Sequence, residues 1–335
     1  FWLKPPQRAR PRRLGPRGRS PRPWHAMSEP GRRSSVLASQ GLGDLGGSVA
    51  ALNGRKEELA TGSELLGSVE CVVLEPIGKK LAPRDFVTTG VVICLQGMLS
   101  SPESLDEWAD VAKSAGWLDM GNTVVIPNLQ MSPSLQTEDI ATVVWAAMEF
   151  AHFDRCIIVG KDEGAQWAVG VACELSVRAN VAGVVLVGPS SPPCEACAEL
   201  EAPAMIIWAR DDDVSSIDGL GDWCDALDER CAPTSVKECA EGGHRVDAVL
   251  KKSNEGIAEA LRTFTATALL IADMDAASAA GQDDGDSSPL PSKLKVDERI
   301  NRLSSELPDA VGGGSRRNSR ELASWIQAGM TTASE

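Results

Sequence analysis

Short apolar runs alternate with longer segments of helical character through the middle of this 335-residue chain. A continuous apolar run of four to eight residues bounded by turn signals is typical of a strand buried on both faces. Such strands, separated by helices, predict an α/β fold with a mostly parallel central sheet and helices on both faces. The predicted strands are 69–74, 91–95, 123–126, 155–159, 184–187, 204–208 and 235–239, and the predicted helices are 101–115, 138–153, 165–178, 217–230 and 254–272.

The folded part is expected to be shorter than the chain. Residues 1–66 comprise an Arg- and Pro-rich leader followed by a Gly/Ser/Ala/Leu-rich linker, and neither has an apolar period. Residues 274–335 are rich in Asp, Ser, Gly and Pro. Segments of this composition cannot bury enough apolar surface to fold, so we expect disordered N- and C-terminal tails. The sequence therefore predicts one domain, at 67–273.

The leader leaves two localisations open. The first residue is Phe1, so we expect either a missing start or an untranslated stretch that has been read through, with Met27 as a candidate initiator. Nine cysteines without a secretory leader indicate reduced thiols and favour a cytoplasmic protein. An Arg-rich, acid-poor leader is also typical of transit peptides, so organelle targeting is the alternative.

The charge of the chain bears on its partners. The net charge is −14, and because the first 33 residues are basic, the remainder is more acidic still. This argues against nucleic acid or an anionic membrane surface as a partner of the folded part. No apolar run reaches the ~18 residues that a membrane span requires. We expect a small-molecule substrate, with no nucleic acid, no membrane and no cofactor, and the sequence indicates no oligomeric state.

The segment Gly160-Lys161-Asp162-Glu163-Gly164 joins a predicted strand to a predicted helix. Its G-x-D-x-G spacing follows the plan of a nucleophile elbow, in which the middle side chain projects above the sheet. Gly160 and Gly164 are the elbow glycines, because a Cβ at either position of so tight a turn would collide with backbone. The alternative is that Asp162 is an ordinary helix N-cap.

Two further residues follow later strands. Asp212 comes after the strand that ends at 208, and His244 comes after the strand that ends at 239. In open α/β sheets, sites form at the carboxyl ends of strands, and the order nucleophile, acid, histidine suits an elbow. Asp162, Asp212 and His244 are therefore the candidate catalytic residues. A solvated acidic turn at 211–213 and an ordinary loop histidine are the alternatives.

Together, these features make residues 69–272 resemble the α/β-hydrolase family. Gln96-Gly97-Met98 stands where the family usually has His-Gly-x after its third strand. That match implies an oxyanion hole formed by the backbone N–H groups of Met98 and Glu163. The family's G-x-x-D-x-V pattern assigns the acid to Asp212, with Ala209 replacing the glycine. Only residues 188–203 separate the sixth and seventh strands, which implies that no cap domain is present.

The elbow residue departs from the family, whose members mostly have serine there. Aspartate resembles haloalkane dehalogenases and epoxide hydrolases, but the missing cap and the absence of tyrosine argue against an epoxide hydrolase. The Glu163 carboxylate would oppose an oxyanion that develops beside it. Two hypotheses follow. One is a cap-less hydrolase of a small ester-like or related substrate, with Asp162 as nucleophile. The other is a catalytically inactive α/β-hydrolase-fold protein that binds a ligand or partner.

A single C-x-x-C motif, Cys194-Glu195-Ala196-Cys197, lies between the sixth and seventh predicted strands. Zinc would need two more ligands close by, and the sequence has no second pair. We therefore expect no metal site. Two reduced thiols in a loop are the main interpretation, and a redox role is the alternative.

Overall fold

The computed structural model describes residues 47–63, 65–76, 89–96, 102–129, 135–174, 176–228, 233–252 and 256–280. The predictions for the leader before residue 47 and for the tail after residue 280 lie outside the described residues. Among the described residues, no helix combines the length and the apolar character needed to cross a bilayer.

Eight strands form one central sheet. In chain order they are β1 Arg55–Ala60, β2 Ser68–Leu74, β3 Val91–Leu95, β4 Thr123–Pro127, β5 Cys156–Lys161, β6 Val181–Val187, β7 Ala204–Ala209 and β8 Thr234–Cys239. Their order across the sheet is β1-β2-β4-β3-β5-β6-β7-β8. β2 runs antiparallel to both β1 and β4, and the pairings from β4 through β8 are all parallel. The predicted mostly parallel sheet is confirmed.

Helices cover both faces of this sheet. They are α1 Gly47–Ala51, α2 Pro102–Ser114, α3 Thr137–Ala151, α4 Glu163–Cys173, α5 Leu220–Asp228, α6 Val246–Lys252 and α7 Ile257–Ala280. Alternate residues of a strand point to opposite faces. One set of strand side chains packs with α1, α2, α6 and α7, and the other packs with α3, α4 and α5. Burial on both faces explains why the central strands are continuous apolar runs.

The segment 47–60, assigned to the linker from the sequence, is ordered. It contains α1 and β1, and β1 pairs along its whole length with β2. Only Leu59 of β1 is buried, and four of its residues are charged, as is common in edge strands. This polar composition hid the strand from a search for apolar runs. The domain therefore starts no later than Gly47, not at 67, and α7 carries it past 273 to Ala280.

Candidate active site

The turn between β5 and α4 has the geometry of a strained elbow. Asp162 adopts φ 55° and ψ −126°, a conformation that residues with a side chain rarely occupy. A Cβ on Gly160 would lie 2.2 Å from the carbonyl oxygen of Gly164, and one on Gly164 would lie 2.5 Å from that of Leu95. The Asp162 side chain makes no capping hydrogen bond to α4. The structure therefore supports the elbow interpretation over the N-cap alternative.

The three candidate catalytic residues come together at the carboxyl edge of the sheet. His244 Nδ1 lies 3.0 Å from Asp212 Oδ2, and His244 Nε2 lies 2.6 Å from Asp162 Oδ1. The imidazole therefore bridges the elbow carboxylate and the carboxylate that follows β7. The three residues that the chain order predicts to act together are thus in contact, and their roles as nucleophile, base and acid stay a prediction.

Asp212 is held firmly behind the imidazole. Its carboxylate is buried, and Oδ1 accepts hydrogen bonds from the backbone N–H groups of Val214 at 3.0 Å and Ser215 at 2.8 Å. A Cβ on Gly188, which follows β6 with φ 46°, would lie 3.1 Å from Asp212 Oδ2. Glycine at 188 thus leaves room for the acid. Gly188 was not predicted as part of the site, although its place directly after a buried strand was a usable signal.

The two carboxylates favour the charged form of His244. Contact with Asp162 and, after it, with Asp212 raises the pKa of the imidazole above its usual 6.5, although burial opposes the shift. Asp162 Oδ1 is itself buried and accepts no well-aligned hydrogen bond from the described residues. Its 2.6 Å contact with His244 Nε2 is an ion pair when the imidazole is protonated, the form that the raised pKa favours.

Asp211 holds the loop that carries His244. Its two carboxylate oxygens accept hydrogen bonds from the backbone N–H groups of Gly243 at 2.7 Å and Gly242 at 3.1 Å. Both glycines have positive φ, at 59° and 150°, which a side chain would oppose. The acidic turn after β7 is therefore not simply solvated. Asp212 contacts the imidazole, and Asp211 positions the backbone just before it.

A buried ion pair, Glu107 with Lys161, contacts residues on either side of the site in sequence. Glu107 Oε1 accepts hydrogen bonds from Lys161 Nζ at 3.0 Å and from the backbone N–H of Val246 at 2.6 Å. The side chains of Glu107 and Lys161 are only 6% and 12% exposed. Lys161 directly precedes Asp162, and Val246 follows His244 by two residues. Glu107 therefore contacts both the elbow segment and the segment that follows His244. This pair was not predicted from the sequence, because no local pattern reveals it.

Half of the predicted oxyanion hole lies within the described residues. Glu163 begins α4 directly after Asp162, which places its backbone N–H at the positive end of the helix. Met98 lies outside the described residues, so its part in the hole stays a prediction. Gln96, two residues before it, has a buried side chain whose Nε2 finds no partner among the described residues.

Nothing in the described part of the chain resembles a metal centre. No group of three or more His, Cys, Asp or Glu side chains within it is arranged to hold an ion.

No family model matches the sequence, and a comparison with curated proteins also gives no match. Solved structures with similar folds include one assigned as a dienelactone hydrolase from Klebsiella pneumoniae, with 14% identity, a TM-score of 0.48, and coverage of 65% of this chain and 98% of that one. Fungal esterases from Rhizomucor miehei match with 14% identity, a TM-score of 0.47, and coverage of 63% and 83%. An alpha/beta hydrolase enzyme from a lagoon-sediment metagenome matches with 16% identity, a TM-score of 0.43, and coverage of 58% and 94%. Because these similarities are distant, the fold assignment rests on the strand order and the elbow of this chain.

Proposed function

Because this chain has the α/β-hydrolase fold, we propose that it is a hydrolase of a small ester-like or related substrate. The observation that carries the proposal is the position of His244. Its imidazole lies 2.6 Å from an elbow carboxylate and 3.0 Å from a buried carboxylate. A histidine held between a nucleophile and an orienting acid is the arrangement that covalent hydrolysis requires.

In the first step, one Asp162 oxygen attacks an electrophilic carbon of the substrate. A carbon–oxygen bond forms, and the bond to the leaving group breaks with its electron pair. The product is a covalent ester of the Asp162 carboxyl group when the attacked carbon is saturated, as in a haloalkane, and a mixed anhydride when it is the acyl carbon of an ester. For this step, the attacking Asp162 oxygen must leave its 2.6 Å contact with His244 Nε2.

In the second step, His244 acts as the general base. The neutral imidazole removes a proton from water, and the hydroxide attacks the carboxyl carbon of Asp162. The backbone N–H of Glu163, together with that of Met98, would stabilise the tetrahedral oxyanion. Its collapse expels the alkoxide, which takes the proton from the His244 imidazolium and leaves as the alcohol; from a mixed anhydride the acid product leaves instead. The Asp162 carboxylate is restored and now carries an oxygen atom from water. Asp212 stabilises the imidazolium that forms.

A second candidate is a binding protein that has lost its chemistry. The Asp162–His244 contact favours this candidate. It occupies the attacking oxygen, and by raising the pKa of the imidazole it favours the protonated form, which cannot act as a base. Glu163 adds a carboxylate next to the oxyanion position. Such a protein would keep the elbow and the ion pair for holding a ligand, without turnover.

The experiment screens the full chain against chromogenic short-chain esters and haloalkanes, in heavy-oxygen water, with peptide mass spectrometry of any active reaction. Repeated turnover should label the Asp162 side chain. The H244Q variant should lose turnover by about a thousandfold or more and accumulate an adduct on the Asp162 peptide. D213N is the matched control, since Asp213 is an exposed acid beside Asp212 and should not matter.

Three outcomes separate the candidates. Label and adduct on Asp162 establish the nucleophile. Hydrolysis without either signal shows that another group attacks the substrate. If no substrate is turned over, and D162A behaves as the wild type throughout the screen, the binding protein replaces the hydrolase.

A further inference from the structure

The C-x-x-C motif lies on a turn between β6 and β7. Cys194 directly precedes a 3-10 turn, Glu195–Glu199, and the backbone N–H of Cys197 donates to its carbonyl oxygen at 3.0 Å. Residues three apart eclipse one another in this type of turn. The Sγ atoms of Cys194 and Cys197 accordingly lie 3.9 Å apart. The two thiols face each other without a covalent bond between them.

The two thiols differ in access. Cys194 is half-buried, whereas Cys197 is only 1% exposed. Cys194 also packs against α4, with its Sγ 4.0 Å from the carbonyl oxygen of Gln166. Cys194 is therefore the more accessible of the two residues, and Cys197 is shielded from solvent. This pairing of an accessible thiol with a shielded one beside it is the arrangement needed for an attacking and a resolving cysteine.

We propose that Cys194 and Cys197 form a thiol–disulfide exchange site for low-molecular-weight disulfides of the glutathione type. The Cys194 thiolate attacks one sulfur of the small disulfide, forms a mixed disulfide and expels one thiolate. Cys197 then loses its proton and attacks Cys194 Sγ, which expels the second thiolate. Two protein thiols are oxidised to one internal disulfide, and one small disulfide is reduced to two thiols. Closure shortens the Sγ–Sγ distance from 3.9 Å to about 2.05 Å.

The electrostatics of the turn agree with these roles. The Cys197 thiol donates to the Cys194 thiolate and, helped by backbone N–H groups, lowers the pKa of Cys194 to about 6. The same contact raises the pKa of Cys197. Two buried cysteines elsewhere in the described chain behave oppositely, since burial raises the pKa of Cys71 and of Cys156 to about 12. Cys194 is thus the more acidic thiol of the two.

The test follows thiol exchange in the full, reduced chain treated with oxidised glutathione and quenched with N-ethylmaleimide. Peptide mass spectrometry should find an internal disulfide joining Cys194 and Cys197. The C197S variant should stop at one glutathione adduct on Cys194. The C194S variant should leave Cys197 unmodified on the same time scale, because Cys197 is shielded. C224S removes another half-buried cysteine and should change nothing at 194 and 197.

The pH dependence gives a measure that does not depend on access. The C197S variant is unsuitable for this measurement, because it lacks the thiol that lowers the pKa of Cys194. The rate of Cys194 modification is therefore measured in the wild type, as the loss of free Cys194 thiol. A thiol of pKa about 6 should react only about twofold faster at about pH 8 than at about pH 6. A thiol of ordinary pKa, about 8.5, would accelerate about 75-fold over that range. Ordinary acceleration at Cys194, or the absence of an internal disulfide, overturns the proposal.

Discussion

The buried pair of Glu107 and Lys161 gives the sharpest prediction for stability. At 3.0 Å and an effective dielectric constant of about 20, their attraction is about 5.5 kcal/mol, most of which offsets the cost of burying two charges. The K161M variant leaves Glu107 charged, buried and supported only by the backbone N–H of Val246. We expect it to lower the free energy of unfolding by about 3–5 kcal/mol.

The reverse change, E107Q, should cost about as much, because it leaves Lys161 charged and nearly buried. The double variant E107Q/K161M removes both charges. The amide carbonyl oxygen that it introduces at position 107 can still accept from the backbone N–H of Val246, so we expect it to lie within about 1 kcal/mol of the wild type. The cost of the double variant should therefore be at least about 3 kcal/mol smaller than the sum of the two single costs.

Urea unfolding of the four proteins, followed by tryptophan fluorescence, measures this coupling. The control is the same cycle on Arg210 and Glu238, which form a 2.8 Å ion pair with side chains 65% and 40% exposed. That surface pair should show a coupling below about 1 kcal/mol. If the buried pair couples no more strongly than the surface pair, the argument that Glu107 fixes the site through charge is wrong.

Three further predictions concern the elbow, the histidine loop and pH. G160A should lower the free energy of unfolding by about 3 kcal/mol or more, because its Cβ would lie 2.2 Å from a backbone oxygen. G221A is the control: it has open space around it and should be neutral or stabilising in the same urea assay. D211A should lower the free energy of unfolding by about 1–2 kcal/mol and reduce turnover, because two backbone N–H groups of the His244 loop lose their acceptor. D213A is the control and should do neither. The pKa of His244 is raised in the folded state, so its stabilisation is fully present below about pH 6.5 and is lost as pH rises through the folded pKa. Turnover needs the neutral imidazole, so the turnover rate should rise over that same pH interval. If the free energy of unfolding and the turnover rate changed in the same direction with pH, His244 would not be the base.

The sequence predicted the elements that are buried on both faces. β3 was located at its observed bounds, and β5 and β7 to within two residues, because their apolar runs are continuous. β1 was missed because an edge strand needs no apolar run. α6 was missed because its seven residues, Val246–Lys252, are too few for a helical period to stand out from the loop around them.

The site was predicted where a strand end marks it and missed where tertiary contact alone defines it. Asp162, Asp212 and His244 each follow a strand, and the structure brings them together. Glu107 accepts from Val246, 139 residues away, and no local pattern encodes that contact. Asp211 was visible in the sequence as part of an acidic turn, but only the fold shows that its oxygens meet the glycines before His244.

The order of the strands has a consequence for folding kinetics. β3 pairs not with its neighbour in sequence, β2, but with β4 and β5, so that Val91 lies opposite Cys156. Pairings that close such long loops are slow, and helices form far earlier. Gly164 packs against the carbonyl oxygen of Leu95, the last residue of β3, so the elbow cannot take its strained shape until β3 and β5 have paired. The elbow geometry is therefore expected to form late. In a refolding chain, the ellipticity of the helices should recover before the strained turn at Asp162 forms.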